Sequence, residues 1–110
     1  MTNDPLGAPR PTSAPEIGPV LAEVFAVLES RKAEMPEASY TAKLLLGPQD
    51  KLLKKIGEEA SEVIIAARDR DPKQLRYEIG DLLYHLMVVM VREGLTLDDL
   101  AAEMAERRRK

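Results

Sequence analysis

The chain of 110 residues contains no cysteine and no tryptophan, one phenylalanine, three tyrosines and a single histidine. Without cysteine there are no disulfides, no thiolate zinc sites and no cysteine nucleophile. So few aromatic residues leave an aliphatic core, and the length suits one domain with a modest one. Basic charge is not in excess either. Lys and Arg number 16 against 19 Asp and Glu, a net charge of −3, so nothing is left over to neutralise a nucleic-acid backbone. The longest apolar stretch, Leu82 to Val91, is interrupted by His85 and is far too short to span a bilayer. The opening Met1-Thr-Asn-Asp-Pro lacks the basic region and apolar run of a signal peptide. These absences predict a soluble, cytoplasmic chain that binds neither membrane nor nucleic acid.

No segment alternates apolar and polar residues with β-branched enrichment, so an all-α fold is expected. Residues 1–15 hold four of the eight prolines and read as a disordered extension, with the folded domain over 16–110. Val20, Leu21, Val24, Phe25, Val27 and Leu28 follow helical spacing from about Ile17 to Ala33, and Glu34-Met-Pro-Glu-Ala breaks that helix. Ser39 to Leu46 reads as a short helical turn stopped by Gly47-Pro48. A long helix is predicted from Gln49 to Arg70, then Asp71-Pro72 as N-cap and first helical residue. The next helix runs to Glu93 and closes at Gly94. Thr96 caps a last one, ending in the basic tail Arg107 to Lys110. The two long helices should form an antiparallel hairpin. The second is apolar nearly all round from Leu86 to Val91. Such a helix must be covered on every side, which predicts a homodimer or tetramer that completes the bundle.

What the chain does have is an acidic constellation inside its most apolar region. Glu58, Glu59 and Glu62 form an EExxE pattern, followed by Glu78 and Asp81 as ExxD. At about 100° per residue, Leu52, Ile56, Ala60, Val63, Ile64 and Ala67 make one stripe on the first long helix. Lys51, Lys55, Glu58, Glu59 and Glu62 share another arc. On the second helix Leu75, Ile79, Leu82, Leu86 and Met90 are expected to face the core, with Glu78, Asp81 and His85 beside them. Glu59 and Glu62 should then meet Glu78 and Asp81 across the groove. Carboxylates are costly to desolvate without positive charge nearby. Hard oxygen donors with open water positions suit magnesium and a phosphate-bearing substrate. Glu58 is a candidate to accept a proton from an attacking water, and Lys43, Lys51, Lys54 and Lys55 are candidates to hold phosphate. Gly57 and Gly80, each beside an acid in a helix interior, suggest close helix or ligand approach. A solvated acidic face remains the competing reading. A di-iron carboxylate site does not fit, because that chemistry uses Glu-x-x-His and the residue three before His85 is Leu82.

The acids with their surroundings, Ser39-Tyr-Thr-Ala-Lys-Leu-Leu, Lys54-Lys-Ile-Gly-Glu-Glu-Ala-Ser-Glu-Val and Glu78-Ile-Gly-Asp-Leu-Leu-Tyr-His-Leu, resemble the all-α nucleotide pyrophosphohydrolases of the MazG-like superfamily. More narrowly, they resemble phosphoribosyl-ATP pyrophosphatases, over roughly Val20 to Glu106. The resemblance implies magnesium-dependent hydrolysis of phosphoribosyl-ATP to phosphoribosyl-AMP and pyrophosphate, the second step of histidine biosynthesis. It implies Glu59, Glu62, Glu78 and Asp81 as metal ligands, Glu58 and Glu62 as catalytic residues, with Glu58 a second-metal ligand or the base, and Tyr40, Thr41, Lys43, Lys51, Lys55 and His85 as substrate contacts. The absence of cysteine, the usual zinc ligand of the cyclohydrolase often fused to this domain, implies a monofunctional chain. Two other readings stand beside it: a sister enzyme that removes non-standard nucleoside triphosphates, and a non-enzymatic helical dimerisation module.

Overall fold

The computed structural model describes residues 15–34 and 39–109. The extension expected to be disordered lies, apart from Pro15, outside the described residues, as does the predicted break beyond Glu34. Five α-helices are described: α1 (Ile17–Glu34), α2 (Tyr40–Leu46), α3 (Gln49–Arg68), α4 (Pro72–Glu93) and α5 (Leu97–Arg108), with no strand among the described residues. The fold is all-α, and none of these helices is long and apolar enough to cross a membrane.

Local chemistry sets the ends of these helices. The Ser39 side chain accepts from the Ala42 amide and starts α2. A Cβ at Gly47 would collide with the Lys43 carbonyl oxygen, so only glycine closes that helix without strain. Asp71 caps α4 by accepting from the Gln74 amide, with Pro72 at the first turn. Gly94, at φ 78°, ends the helix in the left-handed region where glycine carries no Cβ penalty. Thr96 and Asp99 form a reciprocal capping box on α5.

The antiparallel hairpin of α3 and α4 is the backbone of the fold, and α1 and α2 pack on the lower half of α4. Phe25, Leu28, Leu44, Leu45, Leu52, Met87, Val88 and Val91 form the core cluster. Arg92 of α4 ties down the end of α2, its Nη1 donating to the Leu44 and Leu45 carbonyls at 2.9 and 3.1 Å. Those carbonyls have no partner within a seven-residue helix.

The buried face of the hairpin is not the one expected. Leu52, Ile56, Glu59, Val63 and Ala66 line the inner side of α3, and Glu78, Leu82 and His85 the inner side of α4. Ile64, predicted to be core, is 66% exposed, and Ile79 and Leu86 are 43% and 39% exposed. Helical geometry makes this a rotation of roughly 60° of both helices toward their acidic arcs. The physical reason is that each apolar arc is wider than one partner helix covers. Within the chain the helices meet at the edge of those arcs, and the far edge faces outward. Gly57 and Gly80 are likewise not points of close approach within the chain, since a Cβ on either would meet nothing.

The α3–α4 turn holds the one described non-glycine residue with positive φ, Arg70 at 56°. It occupies the position after the α3 cap where glycine is favoured. Left-handed backbone costs a non-glycine residue about 1–2 kcal/mol, partly offset by the extra chain entropy glycine brings to the unfolded state. Arg70→Gly is therefore expected to raise the unfolding free energy by roughly 0.5–1 kcal/mol in urea titration.

Candidate functional site

The inward rotation of α3 and α4 brings acids from the two helices together. A Glu59 oxygen, an Asp81 oxygen and a His85 ring nitrogen lie within 4.8 Å of one another. Glu59 is 5% exposed and His85 3%. Lys55, one turn before Glu59, closes an ion pair with it at 3.1 Å. His85 Nδ1 lies 2.7 Å from the Asp81 carbonyl oxygen and 3.8 Å from its carboxylate. On the other side of the ring, Nε2 is 3.3 Å from the Tyr40 hydroxyl. Thr41 and Tyr84 share a hydrogen bond between their hydroxyls. A continuous polar chain thus runs from Lys55 through Glu59, Asp81 and His85 to Tyr40.

The remaining acids stand differently. Glu78 is buried, its carboxylate accepting from Gln74 Nε2 at 3.3 Å. Glu58 and Glu62 are exposed, on the flank of α3 beside Glu59. The four-acid convergence expected across the groove is therefore narrower here: Glu59 and Asp81 meet, while Glu62 and Glu78 are not members of the close group. Lys43 and Lys51 are exposed, and of the predicted lysines Lys55 alone pairs with an acid among the described residues. Sequence reasoning missed the burial of Glu59 and Glu78. Their seven-residue register with Leu52 and Ala66, and with His85, was the available signal.

Two carboxylates this close cannot titrate independently. Burial acts most strongly on Asp81 and pushes its carboxyl up, and the hydrogen bond and negative charge of Glu59 push it further. Burial pushes Glu59 up as well, but Lys55, the hydrogen bond with Asp81 and His85 together outweigh it and hold that carboxyl below its usual range. The hydrogen bond to Glu59 raises Lys55 in turn. One added positive charge only partly satisfies such a pair. Its all-oxygen carboxylate donors, drawn from two helices, fit a hard divalent cation.

Residues 21–108 match the family model described as phosphoribosyl-ATP pyrophosphohydrolase. A phosphoribosyl-ATP pyrophosphatase of Haloarcula marismortui is 45% identical over 95 residues, covering 84% of this chain and 97% of that protein. One from Leptospira biflexa is 52% identical over 81 residues, 74% of this chain and 88% of that protein. A histidine biosynthesis bifunctional protein of Halalkalibacterium halodurans is 47% identical over 90 residues, covering 82% of this chain but 43% of that protein. The chain thus spans less than half the length of the bifunctional relatives it matches.

The opposed shifts of the acid pair have a testable sign. Asp81 holds its proton more tightly folded than unfolded, so its contribution to stability is lost as pH rises through its raised value. Glu59 works the other way, contributing above its ordinary value and losing that as pH falls. With divalent ions chelated, Asp81→Asn is expected to remove the first effect and to stabilise the protein at pH 7. The gain should stay within about 1 kcal/mol because the side chain is partly solvated, as read by thermal unfolding between pH 4 and pH 7, values set by about the ordinary carboxylate range.

Proposed function

Because this chain belongs to the phosphoribosyl-ATP pyrophosphohydrolase family, we propose that it hydrolyses phosphoribosyl-ATP to phosphoribosyl-AMP and pyrophosphate. The observation that carries the reading is the pairing of the buried Glu59 with the half-buried Asp81 between α3 and α4, with His85 and Lys55 around them. A second support is that the matched residues 21–108 include Glu58, Glu59, Glu62, Glu78 and Asp81 with Lys43, Lys51 and Lys55.

Glu59 and Asp81 would hold Mg2+, with Glu62 and Glu78 the further oxygen donors within a turn of each. When bound, the ion supplies positive charge against the phosphate oxygens. The chain's own groups do the rest. Lys55, anchored on Glu59, and the exposed Lys43 and Lys51 receive the phosphates of the triphosphate arm. Glu58, exposed on α3 one turn from Lys55, accepts the proton of the attacking water. That water's oxygen forms a bond to one phosphorus of the α–β anhydride. The bridging P–O bond breaks, and its electron pair leaves with the bridging oxygen, giving phosphoribosyl-AMP and pyrophosphate.

The outward face of the hairpin supports a homodimer. Leu53, Gly57, Ala60 and Ile64 align on α3, and Ile79, Leu83, Leu86 and Met90 on α4. Most of the large side chains among them are 39–66% exposed in the single chain. The grooves along α5 and between α1 and the α4–α5 loop include none of Glu58, Glu59, Glu62, Glu78 and Asp81.

Purified protein supplied with phosphoribosyl-ATP and magnesium should release pyrophosphate, and Glu59→Gln or Asp81→Asn should lower kcat by at least about 100-fold. Hydrolysis of a non-standard nucleoside triphosphate without turnover of phosphoribosyl-ATP would instead make this a house-cleaning enzyme. No hydrolysis of either would leave a dimerisation module. In sedimentation the wild-type protein should run as a dimer, and Ile79→Lys combined with Leu83→Lys as a monomer. A monomeric wild type would contradict the assembly.

A further inference from the structure

His85 counts geometrically with the acids, but its hydrogen bonds leave it no role as a ligand. A backbone carbonyl can only accept, so the 2.7 Å contact with the Asp81 carbonyl puts a proton on Nδ1. Nε2 then accepts from the Tyr40 hydroxyl if the ring is neutral, or donates to it if charged. In either state no nitrogen lone pair remains for a cation. The Tyr40 and Tyr84 rings meet the imidazole edge-on, with centroids 6.3 and 5.3 Å away, which fixes its plane as well. His85 is held on all sides and in turn holds something else.

What it holds is Tyr40. This ring is 50% exposed at the first residue of α2, yet its hydroxyl is tethered to a buried imidazole. The Thr41–Tyr84 hydrogen bond fastens the same turn to α4 a second time. The imidazole that tethers it lies with Glu59 and Asp81, and Lys55 is paired to Glu59, so the ring stands at the edge of that cluster. An exposed aromatic ring with a fixed tip is oriented before anything binds, and it offers a planar surface beside a phosphate-receiving lysine. A planar heterocycle carrying phosphates is the ligand that matches both.

We infer that Tyr40 is a substrate-binding residue whose tethered ring forms the stacking platform for the substrate's purine, with His85 its positioning residue and not a metal ligand. This rests on the hydrolase reading above for the identity of the substrate. Steady-state kinetics with phosphoribosyl-ATP and calorimetric titration with AMP test it together. Tyr40→Ala should raise both KM and the AMP dissociation constant by about 10-fold or more, the range of base–aromatic stacking. It should change kcat by less than about 3-fold. Tyr40→Phe, which keeps the ring but loses the tether, should raise KM by no more than His85→Ala does and by less than Tyr40→Ala. His85→Ala should raise KM alone but add little in the Tyr40→Ala background, because it acts through that ring. Unchanged AMP affinity in Tyr40→Ala overturns the platform. Equal loss in Tyr40→Phe overturns it too, in favour of a hydroxyl contact, and additive losses overturn the positioning role of His85. If the wild type shows no turnover but the AMP pattern holds, the platform stands and the activity reading alone fails.

Discussion

Two carboxylates facing each other across a helical hairpin are the constraint on which this small protein is organised. Glu59 on α3 is buried on the inner side of the hairpin, and Asp81 on α4 stands half-buried against it. Burying like charges is unfavourable, and the surroundings show how the fold copes. Lys55 neutralises one acid, the proton is drawn toward the other, and His85 pins the Asp81 backbone. The Tyr40–His85 and Thr41–Tyr84 contacts then bring α2 against the same region. Below it, Val88 and Leu52, both essentially inaccessible, anchor the aliphatic core that holds the two helices in place.

This choice has a consequence on the opposite side. A helix that turns its acids inward turns part of its apolar arc outward, which is why Ile64, Ile79, Leu83 and Leu86 stand in solvent in the single chain. Gly57 and Gly80 belong to the same account. Their missing side chains make room for nothing within the chain, although glycine in a helix interior costs about 1 kcal/mol relative to alanine. The paired acids and the exposed apolar edge are two results of one rotation.

Much of this was legible beforehand. Turn and cap chemistry at Ser39, Gly47, Asp71-Pro72, Gly94 and Thr96 marked the helices to within a residue or two, because each acts through neighbouring backbone alone. The acids were recognisable through their spacing, and the segments around them resembled the family to which the chain belongs. Which edge of each apolar arc would be buried was not legible. Periodicity locates an arc but not how its width is divided between a partner in the chain and one outside it. The same blindness made Glu62 look equivalent to Glu59, although one is exposed and the other buried. Nor did spacing show that the two nitrogens of His85 are engaged by the Asp81 carbonyl and the Tyr40 hydroxyl.

Binding of the divalent cation proposed for the Glu59–Asp81 pair is measured directly by calorimetric titration of the protein with Mg2+ or Mn2+. Saturable binding to the wild type that disappears in Glu59→Gln is the result predicted. Equal binding by both, or none by the wild type, would contradict it.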